Sequence, residues 1–193
     1  MNFFGFAARR FIREHRSCSG DLGDYGAKFP AFLRGLPEAQ GLPYLCDVAR
    51  LEWAWNAVFH SRRTPMLSVS RLAALCPAEQ AALRFTLNPA ARLIASDYPI
   101  LRIWEVCRDG FEGDQVVDLD SGGDTLVLAQ EPDFTITIER LPPGEYAFLA
   151  ACANGATVAG ALTAAVEVDT HFDLTQSLRT QIERGRIADF TFA

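Results

Sequence analysis

Cysteine is scarce and unpatterned in this 193-residue chain: Cys18, Cys46, Cys76, Cys107 and Cys152 are odd in number, widely spaced and form no C-x-x-C. Neither a disulfide framework nor a zinc clip is indicated, and reduced, mostly buried thiols are the expectation. Long apolar runs are missing as well. No stretch of 18 apolar residues occurs, and Phe3 to Ala8 is too short, with its arginine pair placed after it, to serve as a signal segment. A cytoplasmic protein without a membrane partner is expected. The three histidines, His15, His60 and His171, fit no H-x-x-x-H or H-E-x-x-H spacing, which leaves no locally written two-histidine metal grip. Gly20-x-x-Gly23 has neither a strand before it nor a lysine after it, so a phosphate-cradling loop is not expected. Catalysis needs a nucleophile, a proton-transfer group and a charge stabiliser in one pocket. No such set is written here, so the sequence predicts no catalytic residues, no metal ligands and no cofactor in this chain.

What is present is the composition of a globular protein, 49% hydrophobic and 22% charged, long enough for one large or two small domains. The formal net charge of −6 is uneven along the chain. Residues 1–108 hold 14 Lys or Arg against 9 Asp or Glu, a net +5, whereas residues 109–193 hold 4 against 15, a net −11. An acidic C-terminal half would repel polyphosphate, so nucleic acid is disfavoured as a partner.

Phe4, Ala7, Ala8, Phe11 and Ile12 follow helical spacing, and the next apolar face, from Leu22 to Leu33, is interrupted at Pro30. The clearest helix is LPYLCDVARLEWAWNAVFHSRR, with Pro43 suited to the first turn and Leu45, Val48, Leu51, Trp55, Val58 and Phe59 on one face. Within it Asp47 and Arg50 stand at i, i+3 and can pair, and Trp53 and Trp55 lie about 200° apart around the axis. Asp21 and Asp24 precede Tyr25 and suit a helix N-terminus. Short helices are predicted at 70–75, 77–84 and 100–107, with 85–98 an extended or irregular connection.

Past Gly110 the period changes to two. Val117, Leu119, the turn Ser121-Gly122-Gly123-Asp124, Leu126 and Leu128 predict a hairpin, and Phe134, Ile136 and Ile138 alternate with Thr135 and Thr137 as a half-buried strand. Helical patterns follow at 145–153, 157–168 and 174–185, with Thr157 and Asp173 or Thr175 as caps. The fold class is therefore α+β: an all-helical domain over 1–83, then a winged-helix-like domain over 84–193 with a small antiparallel sheet and three helices. The alternating strand is either an interior strand or a sheet edge that can accept an added peptide strand.

The blocks SGDLGDYGAKFPAFL (19–33), GLPYLCDVARLEWAWNAVFHS (41–61) and LNPAARLIASDYPILRIWE (87–105) resemble, in order and spacing, the HvfC/BufC family, also catalogued as proteins with a DNA-binding domain. The resemblance covers nearly the whole chain. It implies a non-catalytic partner subunit of a barrel-fold multinuclear non-haem iron enzyme that modifies cysteines of ribosomal precursor peptides, in several cases linked to copper handling. Iron would belong to the partner. The segment 125–192 further resembles a peptide-recognition winged helix. There a leader peptide would add beside the strand Phe134, Thr135, Ile136, Thr137, Ile138 and lie against Leu178, Gln181 and Ile182. Docking of the enzyme is expected at Trp53, Arg50, Asp21 and Tyr25. The family has further helices ahead of the position of Met1, so exposed apolar surface is expected on the first helices. The competing expectation is a DNA-binding regulator, for which Arg179, Arg184 and Arg186 would have to contact phosphate or bases.

Overall fold

The computed structural model describes residues 3–17, 22–62, 64–65, 67–131 and 133–192, the side chains of 22–24 excepted. Element order is α1 (Phe3–Glu14), a 3-10 turn (Leu22–Lys28), α2 (Phe29–Arg34), α3 (Leu45–Phe59), α4 (Val69–Ala73), α5 (Pro77–Ala82), β1 (Leu83–Leu87), β2 (Ala91–Ser96), α6 (Ile100–Val106), β3 (Asp124–Gln130), β4 (Ile136–Arg140), α7 (Pro143–Ala153), α8 (Val158–Val168), α9 (Leu174–Glu183) and β5 (Ile187–Phe192). Helix and strand are mixed, as an α+β chain requires.

Two compact units form, and both are discontinuous. Unit 1 is Met1–Ala57 with Ser96–Asp124; unit 2 is Val58–Ala95 with Thr125–Ala193. The predicted boundary between residues 83 and 84 instead falls inside β1, because β1 pairs antiparallel with β5, Leu83 opposite Phe192 and Phe85 opposite Phe190. A strand cannot be parted from its ladder without orphaning backbone donors and acceptors.

In unit 1, α1 turns Ala7 and Phe11 inward and leaves Phe4 and Ile12 exposed, at 65% and 57%. The broken second segment is a 3-10 turn followed by α2, whose first turn holds Pro30 where its missing N–H is harmless. Ala7, Leu33, Leu36 and Ala39 form the small core of this unit. On α3, Leu51 is fully buried, while Trp55 meets Trp104 of α6 with ring centroids 5.4 Å apart. α6 begins at Pro99, which has no side chain to cap it. Buried Asp124 supplies the acceptor, receiving the Leu101 N–H at 2.8 Å. The turn before it needs Gly123, since a Cβ there would stand 2.2 Å from the Ser96 carbonyl oxygen. The predicted hairpin arm at 117–119 is not a strand; β3 takes its partner from β4 instead.

Unit 2 holds a two-stranded sheet, β1-β5, and a three-stranded sheet in the order β2-β3-β4. Its core gathers Leu83, Phe85, Val127, Phe148, Leu149, Ala161, Ile187 and Phe190. The three C-terminal helices stand where periodicity placed them. The Thr157 hydroxyl accepts from the Gly160 N–H and the Asp173 carboxylate from the Gln176 N–H, so both predicted caps form. The stretch 85–98 is extended as predicted but builds β1 and β2, and β5 was not predicted at all.

Candidate functional site

Antiparallel pairing of β3 with β4 sets Leu128 opposite Ile138 and Ala129 opposite Thr137. The Leu141 N–H donates to Thr125 C=O and the Glu131 N–H to Thr135 C=O, so the odd-numbered residues of β4 exchange bonds with β3. Ile136 and Ile138 therefore direct their N–H and C=O away from β3. β4 is the outer strand of its sheet, and no backbone hydrogen bond among the described residues engages those groups. The side chains divide between two faces, both of which hold fully buried residues of β3. Thr137 and Glu139 share the face of core residue Val127, while Ile136 and Ile138 share the face of Leu126 and Leu128.

Phe134 and Thr135 lie in the turn before β4, not in the strand. The Asp133 carboxylate accepts from the Thr135 N–H at 3.0 Å and hydroxyl at 2.6 Å, closing a local loop that competes with the ladder. Phe134 is 64% exposed and has a φ of 71°, left-handed backbone that a bulky L-residue seldom adopts. On α9, Leu178 is half-buried, but Gln181 at 0% and Ile182 at 4% exposure are interior. They are not groove residues. The Gln181 amide is spent, donating to Glu145 at 3.0 Å and accepting from Arg186 at 3.2 Å.

Arg186 organises a buried polar cluster behind β4. Only 2% exposed, it bonds the Glu139 carboxylate at 2.7 Å, and Arg184 pairs with the same carboxylate. Burial opposes ionisation of Glu139, but the hydrogen bonds and charges of Arg186 and Arg184 outweigh it and hold the carboxyl below the ordinary glutamate value. Of the three arginines that a DNA-binding reading requires, Arg186 is buried and paired, whereas Arg184, though paired with Glu139, is exposed.

Unit 1 brings together Tyr25 and Trp53 of the four predicted docking residues. They line a cavity of about 310 Å³ shared with Phe4, Phe11 and Phe29. Trp53 lies flat over Gly26, where an added Cβ would be 2.5 Å from the ring. The Tyr25 hydroxyl donates to the His15 carbonyl at 2.6 Å, and Phe11 meets the Tyr25 ring edge-on at 5.5 Å. Arg50 does not join them. It pairs with Asp47 at 3.0 Å, the local i, i+3 ion pair the spacing allowed, and Asp47 also accepts from the Ser96 hydroxyl. Asp21 lies outside the described residues. A residue that sequence reasoning missed, Glu52, stands at the mouth of the cavity. Desolvation raises its carboxyl pKa above the ordinary value, and no hydrogen bond or nearby charge counters that.

Charge counted in space also departs from charge counted along the chain. Unit 1 carries 9 basic and 14 acidic residues, a net −5; unit 2 carries 9 and 10, a net −1. The acids of 109–124 belong to unit 1, so the strongly acidic C-terminal domain does not exist as a folded body. The sign-based argument against polyanions at unit 2 falls with it.

Among the described residues no group of three His, Cys, Asp or Glu is placed to hold a metal. Cys46 and Cys152 are buried, whereas Cys76 and Cys107 are exposed, so burial of the thiols is less general than predicted. Burial pushes the Cys152 thiol up to about 12, which keeps it protonated and unreactive at neutral pH. No described helix is long and apolar enough to cross a membrane. Neither a family model nor a curated protein sequence matches this chain.

Proposed function

We propose that this chain is a non-catalytic partner subunit that captures a ribosomal precursor peptide as an added strand along β4 and presents it to a barrel-fold multinuclear iron enzyme docked on unit 1. The observation that carries the reading is the outer edge of β4, where Ile136 and Ile138 offer backbone donors and acceptors that pair with nothing else described. The element order supports it: after α6, the paired strands β3 and β4 lead into α7, α8 and α9, with β2 beside β3 in the same sheet, a strands-then-helices order that a peptide-recognition module would need. Within the predicted contact set, Ile136 and Ile138 keep the role. Thr137 is half-buried with its hydroxyl on Glu131, Phe134 and Thr135 flank the strand from its turn, Leu178 packs against the unit core beside Leu72 and Val158, and Gln181 and Ile182 serve the interior.

The test uses the full chain co-purified with a barrel enzyme encoded beside it, titrated with the leader segment of the precursor. Ile136→Pro deletes one outward N–H at the first residue of an edge strand and leaves the β3 ladder intact, the setting in which proline is tolerated. Affinity should fall about tenfold, one hydrogen bond and its register, with the circular dichroism spectrum unchanged. N-methylation of alternate peptide amides should abolish capture in one register and spare it in the other. A folded Ile136→Pro protein with wild-type affinity, or indifference to N-methylation in both registers, overturns strand addition. A steeply salt-dependent complex with duplex DNA in place of peptide capture would favour the regulator instead.

A further inference from the structure

We propose that the unit 1 cavity is a docking site for a lysine side chain of a partner polypeptide, its alkyl stem held among aromatic rings and its ammonium paired with Glu52. This deepens the docking half of the reading above and stands or falls apart from strand addition at β4.

The lining sets the chemistry. Phe4, Phe11, Tyr25, Phe29 and Trp53 supply ring faces and edges around about 310 Å³, and Glu52 is the one charged residue among the described lining. Ring quadrupoles attract a cation, and a carboxylate stripped of part of its water does so more strongly. Among the described residues Glu52 meets neither a basic side chain nor a donor, and it is open to solvent, so its carboxylate is accessible to a cation brought by a partner. The net −5 of unit 1 adds a long-range field of the same sense.

The count of donors separates lysine from arginine. A guanidinium brings five N–H groups that need acceptors, whereas an ammonium brings three on a slim apolar stem. The described side-chain acceptors of the lining are the Glu52 carboxylate and the Tyr25 hydroxyl, which donates to the His15 carbonyl and can accept in turn, while the Trp53 indole adds a donor only. One carboxylate in an apolar wall therefore suits a stem that buries its methylenes and presents a compact charge. Exposed Phe4 and Ile12 at the rim extend apolar contact to residues flanking the lysine, which is why the source is a polypeptide and not a free amine.

Calorimetric titration of the full chain with Ac-Leu-Lys-Leu-NH2, its norleucine analogue, its arginine analogue and choline chloride, all at equal ionic strength, tests the site. The lysine peptide should bind about tenfold more tightly than the norleucine peptide, the size of a desolvated cation–ring contact plus an ion pair. Glu52→Gln should erase that difference and leave the norleucine peptide where it was, and, by removing a charge that desolvation disfavours, should not lower the melting temperature at neutral pH. Trp53→Phe should weaken the lysine peptide less than Glu52→Gln does. Equal binding of lysine and norleucine peptides, or a Glu52→Gln protein that still discriminates them, overturns the site. Arginine peptide or choline binding as tightly as the lysine peptide overturns the stated occupant.

Discussion

The two units treat an acidic side chain in opposite ways. In unit 2 Glu139 is surrounded: Arg186 and Arg184 share its carboxylate, and Gln181 carries the network on to Glu145. In unit 1 Glu52 is exposed at the surface yet partly desolvated, and no described neighbour offsets that. Partial burial alone raises the energy of the charged form; burial with two guanidinium partners lowers it. The same residue type is consequently a brace in one unit and an unspent valence in the other. What a partly desolvated carboxylate means depends on its neighbours.

The sharpest way to break this contrast is Arg186→Met. It should destabilise unit 2 by about 3–5 kcal/mol, because Glu139 keeps its burial while losing its main partner, read as a lower denaturation midpoint at unchanged slope. The pH dependence carries the sign. Glu139 has its folded pKa depressed, so its stabilisation is present above the unfolded value and is lost as pH falls through the folded one. Wild type and Arg186→Met should therefore converge in acid and diverge toward neutrality. Glu52, with its pKa raised, runs the other way: its contribution is present in acid and fades as pH rises.

A smaller effect, on the opposite side of the comparison, is expected for Gly26→Ala. The new methyl would collide with the Trp53 ring, an overpacking cost of about 1–3 kcal/mol. Tryptophan emission should shift as the ring moves, and the unit 2 network should be untouched. The smallest effect belongs to Phe134→Gly, which relieves left-handed backbone at the β3–β4 turn. Against the greater freedom glycine gives the unfolded chain, a gain of up to about 1 kcal/mol is expected, measurable as a slightly higher melting temperature.

Much of the helical content was legible because periodicity and caps agree: α3, α7, α8 and α9 follow apolar spacing, and Thr157 and Asp173 cap as their side chains allow. Strands were legible only where alternation was long. β1 and β2 were hidden by Asn88 and Pro89 between them, and the six residues of β5 are too few to declare a partner about half the chain away. The site was half legible. Tyr25 and Trp53 do meet, but Glu52 follows no motif, and its neighbour Trp53 was the one signal beside it. Gln181 was misplaced because an amide on a helix face looks solvent-facing until Arg186 and Glu145 are brought to it by β5 and α7. The charge asymmetry misled for a plainer reason: halves of a sequence are not halves of a body when the chain visits each unit twice.

That interleaving bears on biosynthesis. β1 leaves the ribosome roughly a hundred residues ahead of β5, a separation of the kind that slows folding. Until β5 arrives, Phe85 and its ladder wait uncovered, and the second segment of unit 1, Ser96–Asp124, is made in the interval. Nascent chains stalled before residue 187 should accordingly be the species that holding chaperones retain, whereas a pause within the first unit should leave little for them to grip.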